Sequence, residues 1–177
     1  MLKNLSEYNI KFEGLKQGIH SFEFTVDNTF FEKFDFFEFE NSTIKVDLEF
    51  KKQSTMLVLK FIFSGTITVL CDRCLDPVDV DVEGEEKLIV KFGNEEYDQS
   101  DEILILPNHE YELNVGQYIY EFINISLPQK RIHFEGLCNQ KVIGELDKIE
   151  QKDEINEDPR WSLLKDIKIK INKNGTS

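Results

Sequence analysis

Apolar and polar residues alternate at Ile44, Val46, Leu48 and Phe50, a period of two that sets one face of a strand against a core. His20, Phe22 and Phe24 lie in a strand-like stretch before it. A polar connection from Lys51 to Ser54 leads into a denser apolar run, Thr55 to Phe63, which reads as a central strand. Ser64-Gly65 predicts a break, after which Ile67, Val69 and Cys71 resume the alternation. Beyond a short turn, Val78, Val80 and Val82 alternate with Asp79, Asp81 and Glu83. Leu88, Val90 and Phe92 form a further strand or carry this one past Gly84. Short strands with tight connections predict an antiparallel meander, curled into a barrel or sandwich.

Helical signals come later. Asn114-Val115-Gly116-Gln117 offers a capping residue with Gln three positions on, and Tyr118, Ile119, Phe122, Ile123 and Ser126 follow at helical spacing. Pro128 stops that helix. Val142, Ile143, Leu146 and Ile149 predict an amphipathic turn or two. Asp158-Pro159 opens a last short helix with Leu163, Leu164 and Ile167 as its apolar stripe. The expected class is α+β, a strand-rich barrel or sandwich followed by a few short helices.

The 177 residues are 40% hydrophobic and 31% charged, a globular composition rather than a disordered one. There are 15 Phe and no Ala, which leans towards strands. One domain over residues 1–170 with a flexible basic tail, 171–177, is the expected division. The net charge of −13 is uneven: residues 71–126 carry 15 acidic residues against 3 basic, residues 127–177 carry 9 against 10. That balance excludes a protein whose whole surface grips nucleic acid or an anionic membrane. The longest apolar runs are four residues (Met56–Leu59 and Ile103–Leu106), too short to span a bilayer. With no secretory pattern at Met1 to Glu7, a cytoplasmic protein is expected.

Three cysteines without a signal peptide point to thiols or a metal rather than a disulfide framework. Cys71-Asp72-Arg73-Cys74 on a tight turn can aim both sulfurs at one point, as tetrahedral Zn²⁺ requires. Two more ligands are needed, and His133 with Cys138 supplies them around a turn containing Gly136. Cys71, Cys74, His133 and Cys138 would then make a closed Cys₃His structural site. Other readings stay open. A redox CxxC normally opens a helix, whereas Leu75-Asp76-Pro77 and a Val-rich strand follow Cys74. A zinc deaminase would place His-x-Glu before its Pro-Cys-x-x-Cys, but His133-Phe134-Glu135 comes after the CxxC. Thiols with no metal remain the plainest alternative. His20 reads as a rim residue and His109 as a solvated loop residue. No phosphate loop, nucleophile elbow or His-Glu-x-x-His occurs, and the carboxylates fall in no catalytic spacing, so nothing indicates an enzyme.

The ordered set of motifs also resembles a family. Cys71-Asp72-Arg73-Cys74-Leu75 after a strand is followed by an acidic segment, then by Gly116-Gln117-Tyr118-Ile119-Tyr120-Glu121. Leu127-Pro128, His133, Gly136-Leu137-Cys138 and Asp158-Pro159-Arg160-Trp161 with Leu163 and Leu164 complete the order. Over residues 60–170 this is similar to the bacterial YceD family, the large ribosomal RNA subunit accumulation proteins. The resemblance implies a non-enzymatic cytoplasmic role in 23S ribosomal RNA accumulation and large-subunit biogenesis. Many relatives carry Gly-Leu-Cys-x-x-Cys, but the place of the second Cys is here Lys141, which leaves His133 as the fourth ligand. The acidic stretch Glu83 to Glu112 would hold a basic ribosomal protein or assembly factor. Lys130-Arg131, Lys165, Lys168, Lys170 and Lys173 would allow a local ribosomal RNA contact, or form an exposed face. A zinc-dependent enzyme with an open metal position is the alternative function.

Overall fold

The structure is a computed structural model that describes residues 5–34, 38–93 and 103–153. The chain forms two compact units, Met1–His133 and Phe134–Ser177. The first contains a five-stranded sheet ordered β2-β3-β4-β5-β6, with β2 at Gly18–Asp27, β3 at Asn41–Lys52, β4 at Met56–Leu70, β5 at Pro77–Phe92 and β6 at Ile103–Leu106. β2 to β5 form the antiparallel meander that the alternation predicts. β6, which the sequence reading noted as an apolar run but not as a strand, pairs with β5 in parallel, Ile89 opposite Ile103.

The alternation is kept residue by residue. Ile44, Val46, Leu48 and Phe50 of β3 are buried between exposed or half-buried neighbours, and Leu57, Leu59, Phe61 and Phe63 of β4 do the same. β4 runs unbroken through Ser64-Gly65, contrary to the expected interruption. The glycine serves a close approach between strands. A Cβ on Gly65 would lie 2.2 Å from Thr43 O and 2.6 Å from Ile44 Cα, so no side chain fits. β5 likewise continues past Gly84, where a Cβ would meet the Phe63 ring at 2.5 Å.

Two helices of this unit pack on the core. α1, Asn28–Phe31, is capped by Asp27, whose Oδ1 accepts from the N–H groups of Thr29 (2.9 Å) and Phe30 (3.3 Å). It drives Phe30 and Phe31 into an aromatic cluster: Phe31 meets Phe39 edge-on at 4.6 Å, and Phe34 stacks on Tyr120 at 4.0 Å. α2, Gly116–Ile125, buries Ile119 and Ile123 and sets Phe122 against Phe61 at 5.2 Å. Its expected capping box does not form. Asn114 Oδ1 accepts from Gly116 N–H at 3.0 Å, while Gln117 turns outward to Glu121. A small second sheet pairs β1, Asn9–Ile10, with β7, Leu113–Asn114. The Asn114 amide donates to Leu5 O at 2.9 Å and to Asn9, and the Asn9 amide donates to Glu112 at 3.2 Å.

The second unit begins with a turn closed by Leu137 N–H to Phe134 O at 3.0 Å, with Gly136 at φ 83. α3, Gln140–Asp153, follows and is longer than the turn or two expected. Asn139 Oδ1 accepts from Lys141 N–H at 3.2 Å at its start. The Asp158-Pro159 helix and the tail lie outside the described residues.

Gly65→Ala should lower stability by at least about 3 kcal/mol, because the group that must move is backbone rather than a flexible side chain. Urea unfolding should show a lower midpoint at unchanged slope. Gly14→Ala, with nothing within 4 Å of the added Cβ, should leave the midpoint in place.

Candidate metal centre

The β4–β5 hairpin closes through Cys71 to Asp76, so both cysteines of the CxxC sit in one end loop. Cys71 N–H donates to Asp76 O at 2.9 Å, and Leu75 N–H donates to Cys71 O at 3.0 Å. This knuckle turns the thiols inward: Cys71 and Cys74 are both buried, and neither is in a disulfide. Its geometry places Leu75 in the left-handed region at φ 60, a conformation that costs an L-residue roughly 1–2 kcal/mol.

Asp72 ties the knuckle to the segment after α2. Its N–H donates to Arg131 O at 2.8 Å and its carboxylate accepts Arg131 N–H at 2.7 Å. The Arg131 guanidinium also lies 3.5 Å from the same carboxylate and 3.2 Å from Glu38. Two residues further on, His133 Nε2 donates to Pro77 O at 2.9 Å. A carbonyl can only accept, so Nε2 carries a proton, and Nδ1, 3.4 Å from Cys74 Sγ, faces the thiols, where it would offer a lone pair to a metal once deprotonated. Metal-ligating histidines are oriented in this way, with the far N–H anchored on a backbone oxygen.

The Cys71 and Cys74 sulfurs and the His133 ring nitrogen lie within 4.8 Å of one another. A tetrahedral zinc site, with sulfur at ~2.3 Å and nitrogen at ~2.0–2.1 Å, has an N···S edge of about 3.6 Å, close to the Cys74–His133 separation. The donors are soft and borderline, as zinc prefers, and the set present in this unit fits the ion. Burial alone pushes the Cys71 thiol up, but the N–H groups of Cys74, Arg73 and His133 and the His133 ring bring it down to about 6. The same hydrogen bond with Cys71 chiefly holds the His133 imidazole above its ordinary value, against a smaller opposing effect of burial. Thiolate and imidazole side by side are donors ready to exchange a proton for a cation.

Cys138 belongs to the second unit. It is buried beside the Phe134–Leu137 turn, and its carbonyl accepts from the Gln140 amide at 3.2 Å. His20 sits on β2 with Nε2 at 2.8 Å from Lys16 O, and His109 is 82% exposed beside Glu110. Sequence reading gave Asp72 and Pro77 no part in holding the site. A carboxylate between two cysteines is a signal for the first, whereas a backbone carbonyl has none. Arg131, read as a candidate RNA contact, has its guanidinium engaged by Asp72 and Glu38. Of the acidic stretch, Glu83 and Glu85 are exposed on β5, while Glu95, Glu96, Asp98, Asp101 and Glu102 lie outside the described residues.

An antiparallel meander whose end loop gathers two thiols and an imidazole defines a β-sheet protein with a metal-type knuckle. The chain belongs to the YceD family, described as large ribosomal RNA subunit accumulation protein YceD, whose family model matches residues 59–168. That span runs from β4 through the knuckle, α2 and His133. No curated protein and no solved structure matches the chain.

Asp72→Ala should release the 130–133 segment and cost about 1 kcal/mol, since one carboxylate hydrogen bond and a partly exposed ion pair are lost. Exchange of the Arg131 amide hydrogen should speed up, while Asp72→Asn, which keeps an acceptor oxygen, should retain most of its protection.

Proposed function

We propose that this protein supports accumulation of large-subunit ribosomal RNA as a non-enzymatic, zinc-stapled binding module acting in the cytoplasm. The family match across the CxxC, α2 and His133 is the observation that carries the reading. Cys71, Cys74, His133 and Cys138 hold one structural Zn²⁺ as a closed Cys₃His set. Supporting this are the anchored His133 ring, the lowered Cys71 thiol, and a buried third cysteine five residues after His133. When bound, zinc supplies a crosslink rather than a reactive water, because four protein ligands leave no open position. No helix among the described residues is long and apolar enough to cross a membrane.

The partner is a basic ribosomal protein or a large-subunit assembly factor. At −13 the surface repels phosphate over most of its area, so any RNA contact is local. Affinity for bare ribosomal RNA should be weak at physiological salt; tight binding that survives above about 0.2 M salt would contradict the reading.

Purified under reducing conditions without chelator, the protein should carry close to one Zn²⁺ per chain by elemental analysis. A metal-free preparation with three titratable thiols would remove the zinc assignment. Cys74→Ser and His133→Ala should lower zinc content and, in cells, lower the level of large-subunit ribosomal RNA. Stripping the metal should loosen residues 71–74 and 133–138 before the sheet, because a sheet with this core does not depend on zinc to fold.

A further inference from the structure

Beside the knuckle lies a cleft of about 440 Å³ whose lining includes Phe39, Leu70, Leu75, Glu38, Glu40 and Arg131. Its lining combines the buried ring of Phe39 with two leucines that solvent reaches, Leu70 at 46% and Leu75 at 69% exposure. Leu75 is also the one non-glycine residue among the described residues with positive φ. The knuckle requires a left-handed residue there, and glycine would adopt that conformation without strain. The chain instead places a strained, exposed leucine at the site, so the side chain is retained at the expense of the backbone. Strain kept where packing does not need it marks a functional position.

The rim specifies the occupant. Glu38 and Asp72 take the Arg131 guanidinium between them, and Glu40 stands exposed on the same lining. Three carboxylates against one guanidinium leave the cleft mouth anionic, with apolar residues in its lining. We propose that this cleft is a docking site for a basic protein segment, which seats one aliphatic or aromatic side chain between Leu70 and Leu75 and aligns flanking Lys or Arg residues with Glu38 and Glu40. RNA is the wrong partner for such a mouth, because its phosphates would face carboxylates. The proposal rests on the reading of the chain as a ribosome-assembly binding module, and it gives that module a partner class and a contact point.

The test uses the whole 177-residue chain as purified, with its metal content measured, and a labelled peptide, Lys-Arg-Leu-Arg-Lys, with Lys-Arg-Ala-Arg-Lys and a single-stranded RNA oligonucleotide as comparison probes. Fluorescence anisotropy should show the leucine peptide binding at least tenfold more tightly than the alanine peptide. Leu75→Gly should abolish that difference while leaving zinc content unchanged and the melting temperature equal or higher, since the strain is relieved. Leu70→Ser should weaken binding in parallel, and Glu38→Gln with Glu40→Gln should flatten its salt dependence. Equal binding of both peptides, or a Leu75→Gly protein that binds as before, would overturn the proposal. RNA binding that is lost in Leu75→Gly would overturn it in favour of a nucleic-acid site. In cells, normal ribosomal RNA levels with Leu75→Gly but reduced levels with Cys74→Ser would remove the cleft and keep the proposed function. Normal levels with both would remove the function as well.

Discussion

β4 and β5 are paired from Met56 opposite Lys91 to Leu70 opposite Pro77, and that ladder decides where the CxxC can be. A slip of one residue would turn the buried face of β5 to solvent, so burial of Val80, Val82, Leu88 and Val90 locks the register. A locked register leaves the chain from Cys71 to Asp76 to close the hairpin, and within it both thiols point inward. The same ladder fixes Pro77, whose carbonyl holds the His133 ring. The apolar core of the sheet therefore aligns Cys71, Cys74 and the His133 ring, and a metal would find these candidate donors already positioned. This differs from a small metal-dependent domain, where the ion itself supplies the order.

Close approach of backbones explains one place where sequence and structure part. Ile44 to Phe50 and Val78 to Val82 were legible because one face is buried and the other is wet, which writes a period of two into the chain. Gly65 was misread as a break because a glycine inside a strand pattern signals either an interruption or a tight approach, and only the position of Thr43 O distinguishes them. Ile103 to Leu106 carries no alternation, and its parallel pairing is decided by a partner distant in sequence. Gln117 matched a capping box by spacing, but the side-chain oxygen of Asn114 was taken by Gly116 N–H.

At the candidate centre, the thiols and the imidazole were legible because few side chains bind zinc and their spacing is restrictive. The supports were not. Asp72 grips Arg131 through backbone and side-chain groups, and Pro77 contributes only an oxygen. Charge arithmetic found the excess of carboxylates in residues 71–126, but it could not show that some of them restrain a cation of their own chain. Pairing of this kind lowers the free positive charge near the knuckle, and the basic count of the last third overstates what a polyanion would meet there.

The short pair of β1 with β7 has a kinetic consequence. It joins Asn9 to Asn114 and Ile10 to Leu113, positions far apart in the chain, while the meander from β2 to β5 joins strands adjacent in sequence, first through residues 28–40 with α1 and then through short turns. Loops closed locally form early, and a junction spanning most of the unit forms only after the strands between are in place. Two residues of ladder, two flanking backbone hydrogen bonds (Val115 N–H to Tyr8 O at 3.0 Å and Glu13 N–H to Tyr111 O at 3.3 Å) and three side-chain amide hydrogen bonds join the two segments, a shorter ladder than that of β4 on β5. Opening it would also require Tyr8 to leave Phe24 and Phe30, and Phe12 to leave Phe92, so buried rings hold this end more than its ladder does. Closing this junction is thus a late step that completes the core, distinct from the local hairpin that carries the metal-type knuckle.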